Sequence, residues 1–186
     1  MSLSTASSSL TPHYPLSLRA LHWLTVLAII VVYGVTYAEP LFERGSLGRT
    51  LLWWTHISVG LLVLAFVVLR FVFRAVGPVP PPSVALSRLV HLASVAVHVL
   101  LYALLVVTPL VGIYLAFLRG NEVSFFSLFT IASPIPVDRT AAREVQEIHE
   151  WLANGLVLLA LAHALAAFAH HFVLKDDVLR RMLPRH

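Results

Sequence analysis

Residues 149–163 read HEWLANGLVLLALAH, an apolar run with a histidine at each end. From Trp151 to Leu174 there are 24 residues without a formal charge, enough for the roughly 20 that a helix needs to cross a bilayer core. On a helix, the 14 residues from His149 to His163 rise about 21 Å and turn about 1400°, which leaves both imidazoles within about 40° of one face. One helix thus presents two potential ligands at two membrane depths, both pointing the same way.

Three further uncharged runs precede this one: 19 residues between Arg19 and Glu39, 20 between Arg49 and Arg70, and 30 from Leu89 to Leu118. Spans are therefore expected at about 18–38, 50–72, 88–118 and 145–174, with Pro109 bending the third and tails at 1–17 and 175–186. The fold class that follows is an all-α membrane protein, a four-transmembrane-helix bundle forming a single domain over residues 1–186. No Lys or Arg precedes Arg19, so the first span lacks the charged leader of a secretory signal and is expected to be retained. The segment GPVPPP at 77–82 reads as a stiff link between two helical hairpins.

Composition agrees. Of 186 residues, 59% are hydrophobic and 12% charged, against roughly 45–50% and about 25% in ordinary soluble domains. That excludes disordered, fibrous and typical soluble classes. With no cysteine, disulfides, thiolate metal sites and cysteine nucleophiles are excluded as well. The net charge of +4 points to an asymmetric membrane topology and not to nucleic acid. Arg19, Arg70, Arg74, Arg88, Lys175, Arg180, Arg181 and Arg185 fall on one side against only Asp176 and Asp177. The opposite side sets Arg44, Arg49, Arg119, Arg139 and Arg143 against seven acids. Both termini are accordingly placed in the cytoplasm.

Ten histidines stand in place of the missing thiols. His22 lies near the cytoplasmic end of the first span and His56 near the outer end of the second. His56 can meet His149 toward the outside, and His22 can meet His163 on the inner side. Each pair resembles the two axial ligands of a b-type haem, so two haems are expected between the helices, one above the other. His170 competes with His163, but it would separate the irons by about 32 Å, close to the full hydrocarbon thickness. Gly34, Gly60, Gly112 and Gly155 offer places where a macrocycle or a helix can approach closely. Arg19, three residues before His22, can pair with a haem propionate. His91 and His98 share a face of the third span and read as hydrogen-bonding groups; His170 and His171 read as interfacial.

These residues resemble the bacterial dihaem cytochrome b561 family. The resemblance is carried by LHW at 21–23, HISVG at 56–60, PLVG at 109–112, LRGN at 118–121, HEWLANG at 149–155 with His163, and AHHFVLKDDVLRRMLPR at 169–185. It implies bis-histidine haem b at both sites, with His22, His56, His149 and His163 on the irons, and a bacterial inner-membrane location. It further implies electron transfer from superoxide to ubiquinone, and places His98, His170 and His171 close to the haems or the quinone. The related cytochrome b anchor subunits of hydrogenases and dehydrogenases share the same four-helix plan and imply a soluble protein partner instead. With both axial positions filled, a haem can only pass electrons. Superoxide is an anion, and the candidate charges to attract it are Arg44, Arg49, Arg119, Arg139 and Arg143. Because the acids on that side outnumber them, a basic funnel must be local.

Overall fold

Ser46, Ser87 and Asp138 each stand one residue ahead of a helix, and each fixes where that helix begins. The Ser46 Oγ accepts from the Arg49 N–H at 3.3 Å, the Ser87 Oγ from Val90 at 3.4 Å, and the Asp138 carboxylate from Thr140 and Ala141 at 2.9 and 3.0 Å. The computed structural model describes residues 13–78 and 87–183. The helices are α1 (Leu16–Ala38), α2 (Leu47–Val76), α3 (Arg88–Leu118) and α4 (Arg139–Phe172). All four are long and apolar enough to cross a membrane. Helix α3 continues through Pro109. The proline-rich link at 77–82 lies outside the described residues from position 79 onward.

The chain is a multi-pass membrane protein, and its surface shows it. On α4, Leu158, Leu161 and Leu165 are 71%, 58% and 67% exposed. Their spacing of three and four residues makes them one outward stripe, which only lipid can solvate cheaply. The inward faces build a small core from Ala28, Val59, Val63, Val67, Leu105 and Leu156.

Packing is uneven. Helix α1 lies along α2 and α3 along α4, while α2 meets α3 more lightly; α4 has little backbone contact with α1 or α2. Among the described residues, one side-chain hydrogen bond joins α1 to α4, from the Tyr33 hydroxyl to Asn154 Oδ1 at 2.8 Å. A gap between the two helical hairpins is left for other side chains to span.

The loop at 119–138 departs from the all-helical expectation. It folds into an antiparallel hairpin, β1 (Val123–Phe125) with β2 (Phe129–Ile131). Its turn holds Phe126 and Ser127 at φ 45° and 59°, with Leu128 N–H donating to the Phe125 carbonyl at 2.8 Å, the geometry of a type I′ turn. Asn and Gly usually supply that geometry. Here tertiary contacts do so: Phe126 packs edge-on to Trp54 at 5.2 Å and its N–H donates to the buried Ser58 Oγ at 3.0 Å.

Where the termini lie, the chain after α4 turns back across the start of α1. Trp23 Nε1–H donates to the Met182 carbonyl at 3.0 Å, Arg19 to that of Leu183, and Tyr14 N–H to that of Arg181 at 3.2 Å. Arg181 is itself buried and held by Asp177.

A candidate two-centre histidine site

The gap between the hairpins is bridged by imidazoles at two depths. Toward the end bearing the α1–α2 and α3–α4 loops, His56 on α2 faces His149 on α4 with ring centroids 6.1 Å apart. Toward the end bearing the termini, His22 on α1 faces His163 on α4 at 6.4 Å. Imidazole nitrogens sit about 2 Å from a bound metal and about 1 Å from their own ring centre, so two rings on opposite sides of one metal ion have centroids about 6 Å apart. Both pairs match that separation.

The loop-end pair also has its tautomers fixed. His56 Nδ1 lies 3.2 Å from the Val32 carbonyl, and His149 Nδ1 lies 3.1 Å from the Thr108 carbonyl. A carbonyl only accepts, so each Nδ1 donates its proton and each Nε2 keeps its lone pair for a metal. Metal-binding histidines are commonly oriented this way. One turn beyond Thr108, Gly112 lets the His149 ring lie against α3. A Cβ at 112 would sit 2.9 Å from His149 Cε1. Gly112→Val is therefore expected to push the ring off Thr108 and strip any cofactor held by this pair while sparing one held by the other. Cofactor content of the purified variant measures it; unchanged content would contradict that role for Gly112.

Among the described residues, no three His, Asp or Glu side chains converge to hold a bare metal ion. Two axial nitrogens suit a metal whose remaining ligands come from a macrocycle, as in haem. Helix α4 makes little backbone contact with α1 and α2, the helices that carry the opposing imidazoles.

Other sequence candidates fall around these pairs. The His98 ring is 5.1 Å from His163, and its Nδ1 donates to the Ser94 carbonyl at 2.6 Å. His170 Nδ1 pairs with Asp176 Oδ2 at 2.5 Å. His171 Nδ1 is buried without a partner among the described residues. Arg19 reaches the Leu183 carbonyl, while its Nε is buried and unpartnered among those residues.

The loop-end arginines separate into two groups. Arg49 is engaged with Glu39. Arg119, Arg139 and Arg143 instead converge, with Ala142 and Gln146, around a cavity of about 300 Å³. Arg119 Nη2 donates to Gln146 Oε1 at 2.6 Å, and Gln146 stands one turn before His149. These three arginines come from two elements some 20 residues apart in sequence. Arg70 and Tyr102 went unnoticed as site residues in the sequence. The signal was there: Arg70 follows His56 by the same 14 residues that separate His149 from His163.

Residues 13–185 match the family described as prokaryotic cytochrome b561. The chain is 32% identical over 173 residues to cytochrome b561 homolog 2 of Escherichia coli (strain K12), covering 88% of this chain and 87% of the relative. It is 30% identical over 173 residues to the probable superoxide oxidase CybB of Yersinia pestis, covering 89% and 92%. A membrane bundle with two stacked histidine pairs and a match over nearly its whole length places the chain: it belongs to the prokaryotic cytochrome b561 family, whose members are haem-linked membrane electron carriers.

Proposed function

We propose that this cytochrome holds two b-type haems and moves electrons from superoxide, on the outer face of the bacterial inner membrane, to ubiquinone. The observation that carries the reading is the pair of imidazole separations, 6.1 Å for His56–His149 and 6.4 Å for His22–His163. The whole chain acts as one domain, with both termini in the cytoplasm, so that His56–His149 is the outer site and His22–His163 the inner. Haem b held between two imidazoles supplies a one-electron store with no open coordination position.

The residues then divide the work. Arg119, Arg139 and Arg143 attract the superoxide anion to the outer site and raise its local concentration. Each of two superoxide ions gives up one electron and leaves as dioxygen; two electrons and two protons convert one ubiquinone to ubiquinol. His56 and His149 hold the entry haem with Nδ1 protons anchored on Val32 and Thr108. His22 and His163 hold the exit haem, and the buried Arg19 Nε is placed to receive a propionate. His98, His170 and His171 border the inner site as candidate quinone contacts, and His170, its Nδ1 held by Asp176, can pass a proton from Nε2 toward a reduced quinone. The Yersinia pestis relative is named a probable superoxide oxidase, which supports the donor assignment.

An oxidised-minus-reduced spectrum of the purified protein, with pyridine-haemochrome quantification, should give two haems per chain. Superoxide generated in solution should reduce them without any soluble subunit, and superoxide dismutase should abolish that reduction. A colourless protein would remove the haem assignment. A coloured protein inert to superoxide, copurifying with a dehydrogenase or hydrogenase, would keep the haems and replace the donor.

A further inference from the structure

The two sites differ in charge. At the outer site the imidazoles are clipped by backbone carbonyls, whereas the inner site contains a cation from a third helix. Arg70 follows His56 on α2 by 14 residues, so it lies about 21 Å deeper and within about 40° of the same face. Helix α2 thus offers a histidine to the outer site and an arginine to the inner. The Arg70 guanidinium carbon stands 5.1 Å above the centre of the Tyr102 ring on α3, and Tyr102 lies one turn after His98, whose ring is 5.1 Å from that of His163.

No carboxylate among the described residues pairs with Arg70; the ion pairs there join Arg49 to Glu39, His170 to Asp176 and Arg181 to Asp177. A guanidinium without a counter-ion at this depth is expensive. The Tyr102 face offsets part of that cost and fixes the side chain, while leaving planar N–H donors for an anion.

We propose that Arg70 is the fixed cation of the inner haem site, binding a propionate carboxylate and setting the inner haem at a higher potential than the outer one. Taking up one electron lowers the charge at an iron by one unit, and a cation nearby in a medium of low dielectric favours that state. A haem carries two propionates; Arg19 is placed for one, and without Arg70 the other would stand uncompensated and oppose reduction. At the outer site the nearby charges oppose one another, Arg119 and Glu150 both acting on His149, so the asymmetry draws an electron inward. Arg70 acts here as a positioning and tuning residue, and its role rests on the two-haem reading.

The test uses full-length protein in which each haem can be watched alone. His56→Ala should retain only the inner haem and His163→Ala only the outer. Adding Arg70→Gln to His56→Ala should lower the midpoint potential in a redox titration, shifting the haem's reduction equilibrium about tenfold toward the oxidised form. Added to His163→Ala, the same change should leave the potential where it was. Arg70→Lys, which keeps the charge and loses the fork, should fall between wild type and Arg70→Gln. An unshifted inner potential overturns the proposal, as do equal shifts at both sites. Loss of the inner haem in Arg70→Gln but not Arg70→Lys would support it; loss in both alike would mark a packing role and overturn it. A wild-type protein with no haem would remove the underlying reading instead.

Discussion

His163→Ala is expected to halve the haem content, from two per chain to one, and His22→Ala should remove the same haem. The two residues share one iron in the proposed arrangement, so neither deletion can be tolerated singly at that site. The remaining haem, on His56 and His149, has its own helix pair and carbonyl anchors, and its spectrum should persist. His98→Ala is the informative control, because the His98 ring approaches His163 more closely than His22 does, 5.1 against 6.4 Å. A centroid separation of 5.1 Å is too short for two rings with a metal between them, and Nδ1 of His98 is tied back to its own helix at Ser94. His98→Ala should therefore keep both haems. Reduced-minus-oxidised spectra with haem quantification decide the matter: loss of a haem in His98→Ala with retention in His22→Ala would reassign the inner ligand.

The second large effect is expected from replacing Arg119, Arg139 and Arg143 together with glutamine. Each lines the same cavity beside the outer pair, and none of the three is joined to a carboxylate in an ion pair among the described residues. Their charge acts on an approaching anion and not on haem binding. Reduction by superoxide should slow by about tenfold at low ionic strength, and the dependence of rate on salt should flatten. Reduction by a neutral small reductant should be unchanged, as should the haem count. Stopped-flow absorbance at several salt concentrations measures all three. If rates and salt dependence match those of the wild type, superoxide does not enter through this cavity.

Much of this was legible in the chain before any fold was known. The 14-residue step between His149 and His163 fixes two depths and one face from helix geometry alone. Uncharged runs mark the helices because a charge in hydrocarbon is costly. The hairpin at 123–131 was not legible, since its type I′ turn is made by Phe126 and Ser127, where neither residue favours positive φ. Only the fit of Phe126 against Trp54 and the bond to Ser58 hold it there, and those partners are more than 60 residues away. The basic cavity was hidden for a similar reason: Arg119 closes α3, Arg139 and Arg143 open α4, and a net charge summed over the loops averages them against the seven acids on that side.

By itself, then, the sequence determined the solvent, the number of helices and the heights of the imidazoles, because each of these depends on spacing along a single helix or on composition. Which imidazole faces which was decided by the packing of α1 on α2 and of α3 on α4, with α4 held off from α1 and α2. So too were the tautomers set by the Val32 and Thr108 carbonyls and the entry of Arg70 into the inner site. These are distances between separate helices, and no periodicity within one helix encodes them.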